Sequence, residues 1–161
     1  MSVEMFGSIL DFTHPGLDSD VWDLNSTLYP QHKKFILDTL FLNLQKSGFE
    51  HCLEWIKQVD IVGSITTYQY VSDSDIDIHI LVDLPKFVVS EDLPFTQKEA
   101  HEFLDAFRKV YSNQKLILPG TKHILEFFFQ TPFVNKKAHR GSGIYNLEKD
   151  EWKTNQGRCK E

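Results

Sequence analysis

The chain has 161 residues, of which 41% are apolar and 13% aromatic, and a formal net charge of −6. That length fits one domain with a real core, the composition excludes a disordered chain, and the acidic balance argues against coating duplex DNA by charge alone. Two cysteines, Cys52 and Cys159, are too few and too scattered for a disulfide framework or a zinc site, so a reducing compartment is expected. No apolar run reaches membrane-spanning length, and the start "MSVEMFGSIL" lacks the charged beginning and long apolar segment of a signal peptide. A cytoplasmic protein without a membrane partner is the expectation.

Residues 1–30 carry turn formers in "THPGLDSD" and "DLNSTLYP" and are expected to wrap the surface, pinned by Trp22 and Leu28. "QHKKFILDTLFLNLQKSGFE" repeats apolar residues at 36, 37, 40, 41 and 44, the period of an amphipathic helix; Pro30 suits its first turn and Gly48 its exit. "EHCLEWIKQ" reads as a short helix and "QVDIVG" as a short strand ending at glycine. "SDIDIHILVD" alternates strictly, so Ile76, Ile78, Ile80 and Val82 face one side of a strand and Asp75, Asp77 and His79 the other. Pro85 is expected to end that strand. Thr96 and Glu99 stand at capping-box spacing ahead of a helix whose apolar stripe is Ala100, Phe103, Leu104, Phe107 and Val110. "KLIL" reads as a short strand before a Pro-Gly turn, and "KHILEFFFQ" as a strongly β-prone run with one acid, Glu126. "GSGIYNLEKDEW" reads as a turn with short extended pieces. The order predicts a single α/β (α+β) domain over residues 1–161, with helices packed on one mixed β-sheet.

Asp75 and Asp77 carry the chemistry. Two residues apart on a strand, they point the same way, about 7 Å apart along the backbone. Carboxylates so placed repel unless a cation lies between them, and hard divalent ions take one or two carboxylates plus substrate phosphates. A calcium EF-hand loop beginning at Asp73 would need Gly and Glu where the chain has Ile78 and Leu84. A sugar-nucleotide transferase using Asp-x-Asp would leave the upstream "GS" unexplained. A strand end with solvated acids is the bland alternative. Gly63, after the apolar "DIV", lets the backbone approach a phosphate; the Ser64 hydroxyl can bond a phosphate oxygen, and "ITTYQY" is expected to open a short helix facing the anion. A plain turn is the ordinary meaning of Gly-Ser.

Apolar-Gly-Ser, ten residues "ITTYQYVSDS", then Asp-Ile-Asp-Ile resembles the signature of the DNA polymerase beta-like nucleotidyltransferase superfamily. The element order from Leu37 to Gln130 fits it; the specific part is Val62 to Val82. The length, "TTYQY" and the tail also resemble small predicted nucleotidyltransferases of bacteriophage and bacterial genomes. The resemblance implies a catalytic core over residues 62–130. Asp75, Asp77 and a third acid, here Glu126, would bind two Mg²⁺ ions (Mn²⁺ substituting), and Gly63 and Ser64 would hold the β,γ-phosphates of a nucleoside triphosphate such as ATP. The nucleoside monophosphate would pass to a hydroxyl on a protein, small molecule or RNA end, with release of pyrophosphate. The third family acid is commonly Asp, so Glu126 departs from the pattern, and Tyr68 and Gln69 stand where many members have a further glycine. Degenerate members bind nucleotide without turnover, and small members serve as antitoxins; an inactive nucleotide-binding or phage-structural module is therefore the rival expectation.

Lesser candidates each have a plainer alternative. His79 shares the acidic face or is a polar residue farther down it; His123 reads as a strand-edge histidine. Lys136, Lys137, His139 and Arg140 form a cationic loop for the triphosphate or a solvated loop. Tyr68 and Tyr70 either stack on a base or pack under the motif loop. Phe127, Phe128 and Phe129 read as core, as does Cys52.

Overall fold

Two alternating stretches form the centre of the molecule. In a computed structural model, which describes residues 13–131 and 143–153, β1 (Ile56–Val62) and β2 (Ile76–Val82) pair antiparallel. Along β2 the even-numbered residues are buried and Asp77, His79 and Leu81 are half-buried, as strict alternation requires. β3 (Leu125–Gln130) lies parallel to β2. The short β4 (Tyr145–Asn146) adds to the other side of β1, and β5 (Glu151–Trp152) closes the order β3-β2-β1-β4-β5. The described residues thus form a mixed α/β domain with a five-stranded mixed sheet.

The helices follow from their ends and stripes. α1 (Pro30–Lys46) starts on Pro30 and buries His32, Ile36, Leu40 and Leu44, each four residues after the last. α2 is one turn, Cys52–Trp55, which runs directly into β1, so the strand begins earlier than "QVDIVG" indicated. α3 (Leu84–Ser90) corrects the reading of Pro85. Asp83 caps this helix by accepting from the Lys86 amide at 3.1 Å, and the proline sits in its first turn, where it lacks no useful N–H. Asp83, at the end of "SDIDIHILVD", is therefore a helix cap. α4 (Gln97–Ser112) opens on the expected Thr96–Glu99 capping box. Its buried stripe is Ala100, Leu104 and Tyr111, with Phe107 partly buried; Val110 is 67% exposed, so the stripe turns away from the one expected. "KLIL" contributes only an isolated bridge, Ile117 to Ile124.

One face of the sheet carries the core. Val59, Ile61, Ile76, Ile78, Ile80, Leu125, Phe127 and Phe129 cluster with the buried side chains of α1 to α4. The segment before α1 joins the same core: Trp22 is 1% exposed, bridges Leu28, and packs against Tyr145 and Trp152 at 4.8 Å each. The opposite face is polar. Across it run Glu126, Asp77 and Val62 in one register row and Phe128, His79, Asp60 and Asn146 in the next. Phe128 therefore leaves the core that takes its two neighbours, and lies beside His79 and under the Arg108 guanidinium. Among the described residues no helix is long and apolar enough to cross a membrane.

Candidate active site

The Gly-Ser turn is built by backbone geometry. β1 ends at Val62, and Gly63 takes φ 88° and ψ −170°, a conformation essentially confined to glycine. The next residues form a single 3₁₀ turn, Ser64–Thr66, shorter than the helix expected from "ITTYQY". The Thr66 and Thr67 amides close it on the Gly63 and Ser64 carbonyls at 3.0 and 2.9 Å, and the hydroxyls of the same threonines donate to those carbonyls at 2.6 and 2.7 Å. One such turn brings no macrodipole. Ser64 itself is exposed, with its hydroxyl 3.3 Å from that of Ser74.

Two of the three sequence-predicted acids, Asp77 and Glu126, share a row at one end of one face. Asp77 and Glu126 are register partners on the adjacent strands β2 and β3, and both are half-buried. Strands in a sheet lie about 4.8 Å apart, so these carboxylates share a row although far apart in the chain. Gly63 closes the row on the other side: a Cβ built on it would meet Asp77 Oδ2 at 2.6 Å. Asp75 stands exposed just before β2, one pleat beyond Asp77, where the Ile76 amide is held by the Ile124 carbonyl at 2.8 Å. Among the described residues, no three His, Cys, Asp or Glu side chains are gathered around a common point that could hold an ion. Like charges side by side on neighbouring strands are unfavourable unless something offsets them.

Two groups escaped the sequence reading. Asp60, on β1 beside His79, keeps only 15% of its side chain exposed. Its Oδ2 accepts from Gln58 at 2.7 Å and lies 3.8 Å from Lys153, while Oδ1 is buried without a partner. Burial raises its pKa against the pull of Gln58 and Lys153. The alternation in "IKQVDIV" carried this signal, since it puts Asp60 on the face of Asp77. The second group is His123, which is no strand-edge histidine. It is fully buried, with Nε2 2.8 Å from Asp18 Oδ2 and Nδ1 2.6 Å from the Ser74 carbonyl oxygen. No local pattern announces a partner so far away in the chain.

The His123–Asp18 pair sets a pH window for stability. Burial alone would lower the His123 pKa, but the hydrogen bonds to Asp18 and Ser74 outweigh it and hold the pKa above the ordinary value. Burial would likewise raise Asp18, but the bonds from His123 and the Asp20 amide bring it below the usual carboxylate range. The histidine's contribution is complete below its unfolded pKa of about 6.5 and is lost as pH rises through the higher folded value. The aspartate's is complete above about 3.9 and is lost as pH falls through the lower one. Thermal unfolding from pH 5.5 to 8.5 should therefore show the advantage of wild type over His123→Gln shrinking as pH rises; a constant gap would mean that the imidazole does not carry the charge.

The remaining candidates divide. Tyr70 stacks on His14 at 4.0 Å between ring centroids, and the Tyr68 carbonyl accepts from the His14 amide at 2.7 Å, so this part of the loop is tied to the N-terminal segment. Cys52 is a buried free thiol whose pKa burial raises, the opposite of a poised nucleophile. Lys136, Lys137, His139 and Arg140 lie outside the described residues. A scan against protein-family models and searches of curated proteins and of solved structures return no significant match.

Proposed function

We propose that the protein is a metal-dependent nucleotidyltransferase of the DNA polymerase beta-like type, which moves a nucleoside monophosphate from a triphosphate to a hydroxyl acceptor. The observation that carries this reading is the register row: Gly63 packed against Asp77, and Asp77 paired with Glu126 on the neighbouring strand. Three short signals remote in sequence meet at one end of one sheet face, and Asp75 stands next to them.

The candidate donors, Asp75, Asp77 and Glu126, are all carboxylates, a chemistry that suits Mg²⁺ or Mn²⁺ and disfavours softer metals, although among the described residues they are not gathered around one point. Bound there, two such ions would supply charge neutralisation at the phosphates and lower the pKa of an attacking hydroxyl. The chain's own part is positional. Gly63, itself buried, leaves room for the Asp77 carboxylate against the backbone, and the exposed Ser64 hydroxyl would donate to a terminal phosphate oxygen. Asp77 and Glu126 would form the floor of the site from the rigid sheet, with Asp75 exposed just before β2. Transfer at phosphorus needs in-line placement and neutralised charge more than covalent help.

The test is label transfer. Each of the four α-³²P nucleoside triphosphates is offered with Mg²⁺ or Mn²⁺ and with protein, small-molecule and RNA acceptors. Pyrophosphate release and a labelled product are expected from wild type and not from Asp75→Asn/Asp77→Asn. Triphosphate binding without any product would favour the second reading, a nucleotide-binding module without turnover. One observation supports that rival: His14 contacts hold Tyr68 and Tyr70, and many family members have a further glycine where this chain has Tyr68 and Gln69.

A further inference from the structure

The loop between Gly63 and Asp75 presents the candidate phosphate ligand at one end and the first candidate carboxylate at the other. We propose that the buried Asp18–His123 pair is a positioning device that holds this loop in the shape a triphosphate requires. The claim rests on the nucleotidyltransferase reading for its ligand and on the geometry alone for its action on the loop.

The state of the imidazole is set by its neighbours. Nδ1 faces a carbonyl oxygen and Nε2 a carboxylate oxygen, and neither can donate. Both ring nitrogens must therefore carry hydrogen, so His123 sits in the interior as an imidazolium. Its counter-charge is complete, because the second oxygen of Asp18 accepts from the Asp20 amide at 2.9 Å. The histidine is itself anchored: its amide donates to Thr121 Oγ1 at 3.1 Å, and its carbonyl accepts from the Leu118 amide at 2.9 Å.

The imidazolium grips Ser74. Every polar group of that residue is engaged. Its carbonyl takes the bond from His123, and its amide donates to the Val71 carbonyl at 3.0 Å. Its hydroxyl accepts from the Val71 amide at 2.8 Å and lies 3.3 Å from Ser64 Oγ. Ser74 is thus the joint between the two working ends of the loop, and Asp75 is the next residue. A buried ion pair adds little stability over apolar residues of the same volume, whereas a charge-assisted bond to a single carbonyl fixes direction. Three segments, around Asp18, Ser74 and His123, are locked at one point below the exposed Ser64.

Two measurements on the full chain decide the matter. Amide hydrogen exchange is followed in wild type, His123→Gln, Asp18→Asn and the double variant. Binding of α,β-methylene-ATP with Mg²⁺ is measured by calorimetry beside adenosine monophosphate. Each single variant is expected to exchange over residues 64–76 about tenfold faster than any rise in α1, which reports the change in global stability, would account for. Each should bind the triphosphate analogue about tenfold more weakly, the worth of one charge-assisted bond, with the monophosphate little altered. The double variant should be no worse than either single one, because the two residues act as a unit. Exchange that rises everywhere alike, or not at all in this loop, overturns the proposal, and so does a loosened loop with unchanged triphosphate affinity. Should wild type bind no triphosphate, the nucleotidyltransferase reading falls, and the exchange data still decide whether the pair holds the loop.

Discussion

Asp77→Asn is expected to cut nucleotide transfer at least about a thousandfold, roughly 4 kcal/mol of transition-state stabilisation, while the protein stays folded. Asparagine keeps the shape of the side chain and removes its charge. Asp77 is the middle of the row, with the Gly63 backbone on one side and Glu126 on the other, so no other carboxylate can take its place. Glu126→Gln should act in the same direction. Its effect should be smaller, since the longer glutamate side chain is less rigidly placed. Initial rates of pyrophosphate release report the first effect, and melting temperature shows that the fold is intact. An Asp77→Asn rate within tenfold of wild type would remove this carboxylate from the chemistry and the proposed site with it.

Among Gly16, Gly48, Gly63 and Gly120, Gly63 should be the most costly to change to alanine. At φ 88° and ψ −170° an L side chain is strained by its own backbone. The added Cβ would also stand 2.6 Å from Asp77 Oδ2, closer than real Cβ atoms come to any neighbour. Together these should cost about 3 kcal/mol, a fall of roughly 6–12 °C in melting temperature. Gly48→Ala separates the two causes. Gly48 also has positive φ, 95°, but a Cβ there meets nothing within 4 Å. It should lose stability by strain alone, and only the Gly63 variant should also lose triphosphate binding, because Asp77 must move aside. Equal losses of binding in the two variants would mean that the contact with Asp77 is immaterial.

The parts legible in the sequence were those where one period or one pair of residues decides. The alternation "IDIHILV" placed β2 and its two faces, and Thr96 with Glu99 placed the start of α4. Asp75 and Asp77 were visible for the same reason. Elements decided by competition were not. Pro85 reads equally as a strand stopper and a helix opener, and only the Asp83 side chain turning back to the Lys86 amide settles it. Val110 and Tyr111 are adjacent on α4, and the choice between them is made by a tyrosine hydroxyl reaching the Thr39 carbonyl at 3.0 Å. The short helix expected after Ser64 is only a single 3₁₀ turn, whose carbonyls take the Thr66 and Thr67 amides and hydroxyls alike. The Asp18–His123 pair lay beyond any window, since sequence periods describe neighbours and this contact joins residues more than a hundred positions apart.

The parallel pairing of β2 with β3 has a consequence for how the protein comes into being. Parallel partners need a long crossover, here α3 and α4, so the β1–β2 hairpin can form early but the third carboxylate cannot arrive with it. A chain still emerging from the ribosome would hold Gly63, Asp75 and Asp77 together yet be chemically silent until the segment bearing Glu126 docks at the sheet's edge. Synthesis itself would therefore delay the onset of the proposed transfer until nearly the whole described domain has been made.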